Sequence, residues 1–221
     1  MKIVTAVITG DIIRSTDIEG DYREVLHRIA NDIRDQVDQQ FLIDVYRGDS
    51  FQAISKKPEQ GLLMLLLIKA GLKREQTEKN KQTIQWDARM SMGIGELTNY
   101  PEYNNLSELS GEPFTRSGRS LDSMKEKNKE ITIVTGEEQQ DNELKAVLPM
   151  VEAIVTKWTT AQASAVYLFL LYKDITQKEI GDRLGKTQVA VSKSLDISRI
   201  DALIPYIRRF ETQTQQWTHQ K

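Results

Sequence analysis

Asp11 and Asp49 are the residues of this 221-residue chain best suited to chemistry, provided the fold brings them together. The run from Lys2 to Thr9 alternates β-branched and small residues and stops at Gly10-Asp11, which reads as a buried strand ending in a turn. Asp49 follows Gly48 between two short strands, 41–47 and 50–55, which is a hairpin signal. In a split βαβ sheet the first and third strands are antiparallel central neighbours, so these carboxylates, nearly forty residues apart, meet at one sheet edge. A like-charged pair needs a cation to neutralise it, and hard oxygen ligands favour Mg²⁺ or Mn²⁺. Backbone N–H groups of Ile12, Ile13, Arg14 and Ser15, entering a helix, would hold phosphate above that metal. Ordinary turn chemistry also accounts for both aspartates.

A second constellation lies near the C-terminus. Thr176-Gln177-Lys178-Glu179 has the form of a capping box, with Ile180, Gly181 and Leu184 facing inward behind it. Gly185 makes a turn, Lys186-Thr187-Gln188 opens the next helix, and Val189, Val191 (or Ala190) and Leu195 supply its buried side. The spacing predicts a helix-turn-helix. Thr187, Gln188, Ser192 and Lys193 then take outward positions at or near the N-terminal half of a recognition helix; Gln suits adenine, and Lys or Ser suits guanine or phosphate. Gln177 and Lys178 would anchor the DNA backbone, and Lys186 joins the expected DNA-binding residues. Residues 155–221 carry 10 Lys/Arg against 6 Asp/Glu, while the first 154 are acidic, consistent with two modules with different partners. A weakly basic DNA binder needs a homodimer on paired half-sites, and Ile200 to Phe210 forms an amphipathic helix able to join protomers or close the domain. The same geometry also serves as a three-helix unit that packs on protein.

The elements that must position these residues follow from periodicity. Tyr22, Val25, Leu26, Ile29, Ile33 and Val37 predict a helix over 21–40, and the apolar stretch around Met64 to Leu67 a buried helix over 58–78. Trp86, Ala88, Met90 and Met92 alternate in a strand over 84–97, with Trp86 in the core. A helix over 112–127 and a strand over 131–135 complete the order. The expected class is α+β: a ferredoxin-like βαββαβ domain (1–136), a linker or connecting helix (137–157), and an all-α helix-turn-helix domain (158–221). The chain has no cysteine and only His27 and His219, which removes thiol chemistry and multi-histidine metal sites and leaves neither histidine a role. No apolar run approaches the roughly 20 residues of a membrane span, and no secretory leader is evident, so a cytoplasmic protein without membrane contact is expected.

Ile8-Thr9-Gly10-Asp11-Ile12-Ile13-Arg14-Ser15-Thr16, Tyr46-Arg47-Gly48-Asp49-Ser50-Phe51-Gln52 and Met92-Gly93-Ile94-Gly95-Glu96 together resemble the SatD family, whose N-terminal part is similar to the class III nucleotide cyclase domain. The resemblance implies that Asp11 and Asp49 occupy the two metal-aspartate positions. It implies that Arg119 stabilises phosphate in the transition state, with Thr115 in place of the usual asparagine. An adenine-reading lysine is also lost, with Val45 or its neighbours there instead. Arg119 alternatively forms a solvated ion pair with Glu108, Glu112 or Asp122. The damaged catalytic set and the intact helix-turn-helix lead to an expected DNA-binding transcriptional regulator. Its degenerate cyclase-like domain would bind nucleotide and metal or mediate dimerisation. The alternatives are a Mg²⁺-dependent, cyclase-like nucleotide-processing enzyme and a structural interaction protein.

Overall fold

The computed structural model describes residues 3–46, 48–98, 100, 106 and 109–218. Strand β1 (Ile3–Ile12) leads through a 3₁₀ turn (Ser15–Asp17) to helix α1 (Tyr22–Gln36), which Asp21 caps by accepting from the N–H groups of Arg23 and Glu24. Strands β2 (Leu42–Tyr46) and β3 (Ser50–Ser55) form the hairpin around Gly48 and Asp49, with Gly48 at φ 78°, a left-handed conformation that glycine adopts without strain. Helix α2 (Gly61–Lys73) follows, then a small hairpin of β4 (Gln76–Lys79) and β5 (Gln82–Gln85). Strand β6 (Ala88–Leu97), helix α3 (Glu112–Lys127) and strand β7 (Ile131–Val134) end the sheet-forming part. The remaining helices are α4 (Glu138–Val155), α5 (Thr160–Leu171), α6 (Gln177–Leu184), α7 (Gln188–Ser198) and α8 (Ile200–Thr218).

The protein is a mixed α/β molecule around a five-stranded sheet in the order β2-β3-β1-β6-β7. Strand β1 runs antiparallel to both β3 and β6, and β7 is parallel to β6. Because side chains alternate along a strand, β1 serves two layers. Ala6, Ile8 and Ile12 join the core beneath α1 and α2, while Thr9 faces α3 and its hydroxyl lies 2.8 Å from that of Ser117. Gly93 on β6 permits this close approach: a Cβ there would collide with the Pro113 carbonyl oxygen and sit 2.8 Å from the Ser117 nitrogen. At the sheet edge, Glu152 accepts from the N–H groups of Glu130 and Ile131, and Asp141 from those of Thr135 and Gly136.

Helix α2 is apolar nearly all round because both its sides are covered. Gly61 lies against Met92 and Ala6 of the sheet, and Gly71 against Tyr167 of α5. One buried cluster therefore runs without interruption from the sheet through α2 into α5, α7 and α8.

The expected helix over 58–78 and strand over 84–97 need correction. Helix α2 ends at Lys73, and residues 76–85 form the β4–β5 hairpin, whose turn residues Asn80 and Lys81 both have positive φ, 52° and 63°. This is the left-handed pair that a two-residue hairpin turn requires. Trp86 closes the hairpin, with its Nε1 donating to the Thr77 hydroxyl at 2.8 Å.

Candidate functional site

The register of the sheet assembles the site. Asp11, at the end of β1, lies opposite Ser50 of β3 on one side and Arg89 of β6 on the other. The Ile12 N–H donates to the Asp49 carbonyl at 3.0 Å, so both aspartates reach one end of the sheet. Asp11 is only 9% exposed, and its two oxygens have different surroundings. Oδ2 faces Lys125 Nζ at 3.1 Å and Arg89 Nη1 at 3.4 Å. Oδ1 is buried and has no hydrogen-bond partner among the described residues. A buried carboxylate oxygen left without a donor or cation is costly, which makes it an observation in need of a ligand. The Asp49 carboxylate instead accepts from the Ser15 hydroxyl at 2.7 Å.

The loop after β1 is held from several directions. The Ile12 and Ile13 N–H groups are both engaged, by the carbonyls of Asp49 and Asp87 at 3.0 and 2.9 Å. Of the four residues expected to cradle phosphate, Arg14 and Ser15 remain as the ones whose N–H groups the sheet does not use. Arg14 is left-handed (φ 55°) and precedes the 3₁₀ turn, and its side chain pairs with Asp17 at 2.9 Å. The β4–β5 hairpin braces the same loop, since Lys79 donates to the Thr16 carbonyl at 2.8 Å and Thr77 to that of Glu19 at 3.4 Å. Behind the loop, Asp87 binds Lys69 at 2.6 Å and Lys73 at 3.0 Å, and Lys69 reaches Glu130 at 2.5 Å and the Ala88 carbonyl at 2.9 Å.

Helix α3 presents a different residue to Asp11 than the sequence suggested. Phe114, Ser117, Leu121 and Met124 face the sheet. At about 100° per residue, Thr115 and Arg119 then point to the opposite, exposed side, while Lys125 stands on the flank beside β1. Arg119 makes no ion pair among the described residues, and Glu108, one of its expected partners, lies outside them, as do Arg47 and His219. Sequence reasoning missed Lys125 and Arg89. The signal for Arg89 was its register against Asp11, and for Lys125 its place two turns beyond Ser117, but both require the packed sheet to read.

The donor set suits a divalent cation of the magnesium type. No group of three or more acidic or histidine ligands occurs among the described residues, so an all-protein cage is absent from them. Mg²⁺ is commonly held by one or two carboxylates together with waters and substrate phosphates, which matches Asp11 with its free oxygen and Asp49.

In the C-terminal helices, the capping box at Thr176 is present, with Glu179 answering it, and Gly185 turns the chain in the left-handed conformation. Thr187 spends its hydroxyl capping α7, accepting from the Ala190 N–H. Lys178, Lys186, Gln188 and Lys193 are exposed, and Gln177 and Ser192 are half-buried.

A family model of the SatD family matches residues 4–215. The chain belongs to the SatD family. Comparison with curated proteins gives no match. Among solved structures, this SatD protein is similar to an EAL/GGDEF domain protein from M. capsulatus (16% identity, TM-score 0.39, covering 59% of this chain and 84% of that one). It is also similar to the active GGEEF domain of a diguanylate cyclase from Vibrio cholerae (14%, 0.40, 60% and 83%). A third is the GGDEF domain of DgcB from Caulobacter crescentus in complex with c-di-GMP (12%, 0.41, 61% and 79%).

The expectation of a DNA-binding transcriptional regulator is corrected: the similar structures named above are GGDEF-type domains, and none of them is a DNA-binding regulator. Val189, expected on the buried side of α7, is instead 78% exposed, and Ile197 (55%) and Asp196 are exposed on the same helix.

Proposed function

We propose that this SatD protein binds a nucleotide polyphosphate together with Mg²⁺ or Mn²⁺ at Asp11 and Asp49 and processes it at the phosphoryl group. The unpartnered, buried Oδ1 of Asp11 beside the Asp49 turn carries this reading. Asp11 and Asp49 would hold the cation, which when bound neutralises polyphosphate charge and polarises a phosphoryl oxygen. The Arg14 and Ser15 N–H groups would take a phosphate at their turn. Arg14, Arg89 and Lys125 stand around the same sheet end, each paired with an aspartate, and would turn toward a polyanionic ligand once a cation takes over the carboxylate. The buried Lys69–Asp87–Lys73 group fixes the start of β6 and, through the Asp87 carbonyl, the loop itself.

The test combines calorimetric binding of the four nucleoside triphosphates with Mn²⁺ and detection of phosphate or pyrophosphate release with Mg²⁺. Wild-type protein should bind at least one triphosphate in a metal-dependent manner. Asp49→Asn should remove that binding, and Arg119→Ala, which alters the opposite side of α3, should leave it unchanged. Absence of binding and of turnover with all four triphosphates overturns the reading. Loss of binding in Arg119→Ala with retention in Asp49→Asn overturns the placement of the site.

A further inference from the structure

Around Asp11 the charges already balance. Asp11 and Asp49 contribute two negative charges, and Arg89 and Lys125 two positive ones, with both cations gathered on the single oxygen Oδ2 of Asp11. A divalent cation arriving alone would make this corner doubly positive. A divalent cation arriving with a polyphosphate would not, because the complex is itself negative. The two positive side chains also differ in freedom. Arg89 is 20% exposed and is pinned by a second bond, its Nε donating to the Lys129 carbonyl at 3.0 Å. Lys125 is 55% exposed, its Nζ pairs with Asp11 alone among the described residues, and its flexible four-carbon stem lets the ammonium swing without moving α3.

Resting on the nucleotide reading above, we propose that Lys125 is an internal counter-ion that occupies Asp11 while the site is empty and transfers to the polyphosphate when the metal–polyphosphate complex enters, with Arg89 as the fixed counterpart. Lys125 is thereby a specificity-determining residue. It disfavours metal alone and favours di- and triphosphates, whose charge can accept both the cation and the lysine, over ligands with a single phosphate. No bond is made or broken in the exchange; one ion pair replaces another.

The experiment measures two affinities that the exchange moves in opposite directions. Mn²⁺ alone is titrated by electron paramagnetic resonance, and inorganic tripolyphosphate is titrated by calorimetry in the presence of Mg²⁺. The proteins are wild type, Lys125→Met, Lys125→Arg, Asp49→Asn and Lys145→Met, the last removing an exposed cation on α4. Lys125→Met should bind Mn²⁺ alone about fivefold more tightly and magnesium tripolyphosphate about fivefold more weakly, the size expected of one partly exposed ion pair. Lys125→Arg should restore both values toward wild type, and Lys145→Met should alter neither. Mn²⁺ binding that appears only in Lys125→Met also supports the exchange. Equal Mn²⁺ and tripolyphosphate affinities in wild type and Lys125→Met, with binding lost in Asp49→Asn, overturn the exchange and leave the nucleotide reading standing. Both affinities falling together in Lys125→Met also overturn it, since a lysine that merely supports the fold would act that way. Binding by none of the proteins overturns the exchange and the nucleotide reading together.

Discussion

Replacing Lys69 with methionine isolates the buried charge group from the packing around it. Lys69 is wholly buried in α2, and methionine preserves most of its aliphatic length while deleting the ammonium. That deletion removes a 2.6 Å contact to Asp87, a 2.5 Å contact to Glu130 and a 2.9 Å hydrogen bond to the Ala88 carbonyl. Breaking a buried ion pair by removing one partner costs about 3–5 kcal/mol, because the other charge stays behind without compensation. Here two features soften the loss: Asp87 keeps Lys73 at 3.0 Å, and the Glu130 side chain is 28% exposed and can rehydrate. The expected destabilisation is therefore about 3 kcal/mol, the lower end of that range. For a chain of this length it corresponds to a fall in Tm of roughly 6–12 °C. Urea unfolding followed by far-ultraviolet circular dichroism and tryptophan fluorescence measures it. Neutralising the one stranded acid in a double variant, Lys69→Met with Glu130→Gln, should recover part of the stability, since Asp87 stays paired with Lys73 and the glutamine needs no counter-ion. A Lys69→Met protein within about 0.5 kcal/mol of wild type, the ordinary range of an inconsequential surface change, would refute the assignment of Lys69 as the organising charge.

Two further outcomes follow from features described above. Gly93→Ala drives a methyl group into the Pro113 carbonyl and the Ser117 nitrogen, both backbone atoms, and should cost about 3 kcal/mol, the upper end for overpacking, measured by denaturant midpoint with the slope unchanged. Glu143 is held below the usual carboxylate range, chiefly by hydrogen bonding from Arg209, and burial with Glu143 alongside pushes Tyr206 up to about 12. A carboxyl with a depressed folded pKa adds stability above its unfolded pKa and loses it as pH falls through the folded value. Glu143→Gln should thus be less stable than wild type at neutral pH, converge with it under acid conditions, and lower the Tyr206 titration midpoint followed by ultraviolet absorbance.

Local signals carried the early strands and the capped helices. The β1 run, the Gly48-Asp49 turn, the start of α3 and the capping box at Thr176 all depend on residues close together in sequence, and the structure contains each of them. The β4–β5 hairpin was hidden because its turn is Asn80-Lys81, without the glycine that usually marks one, and because the apolar rhythm of α2 ran into it. Lys69 was hidden for the opposite reason. A lysine in a leucine-rich helix gives no sign, from periodicity alone, of which acids on other strands it will meet. At the site, the paired aspartates could be inferred from topology, but Arg89 depended on strand register and Lys125 on the phase of a helix packed across β1. The DNA-binding expectation went astray at the same level. Caps and turns describe how two helices join, whereas the outward face of α7, with Val189 and Ile197, decides what such a pair can touch.

The way Glu152 and Asp141 grip the ends of β7 has a bearing on how this protein behaves in a crowded solution. An outermost strand is a template on which a foreign strand can grow, and continued growth is how sheets become fibrils. β7 is such a strand, at one end of the sheet order. By committing the N–H groups at both its ends to carboxylates from α4, the chain leaves a newcomer too few free donors to settle into register, and what it would meet there is negative charge.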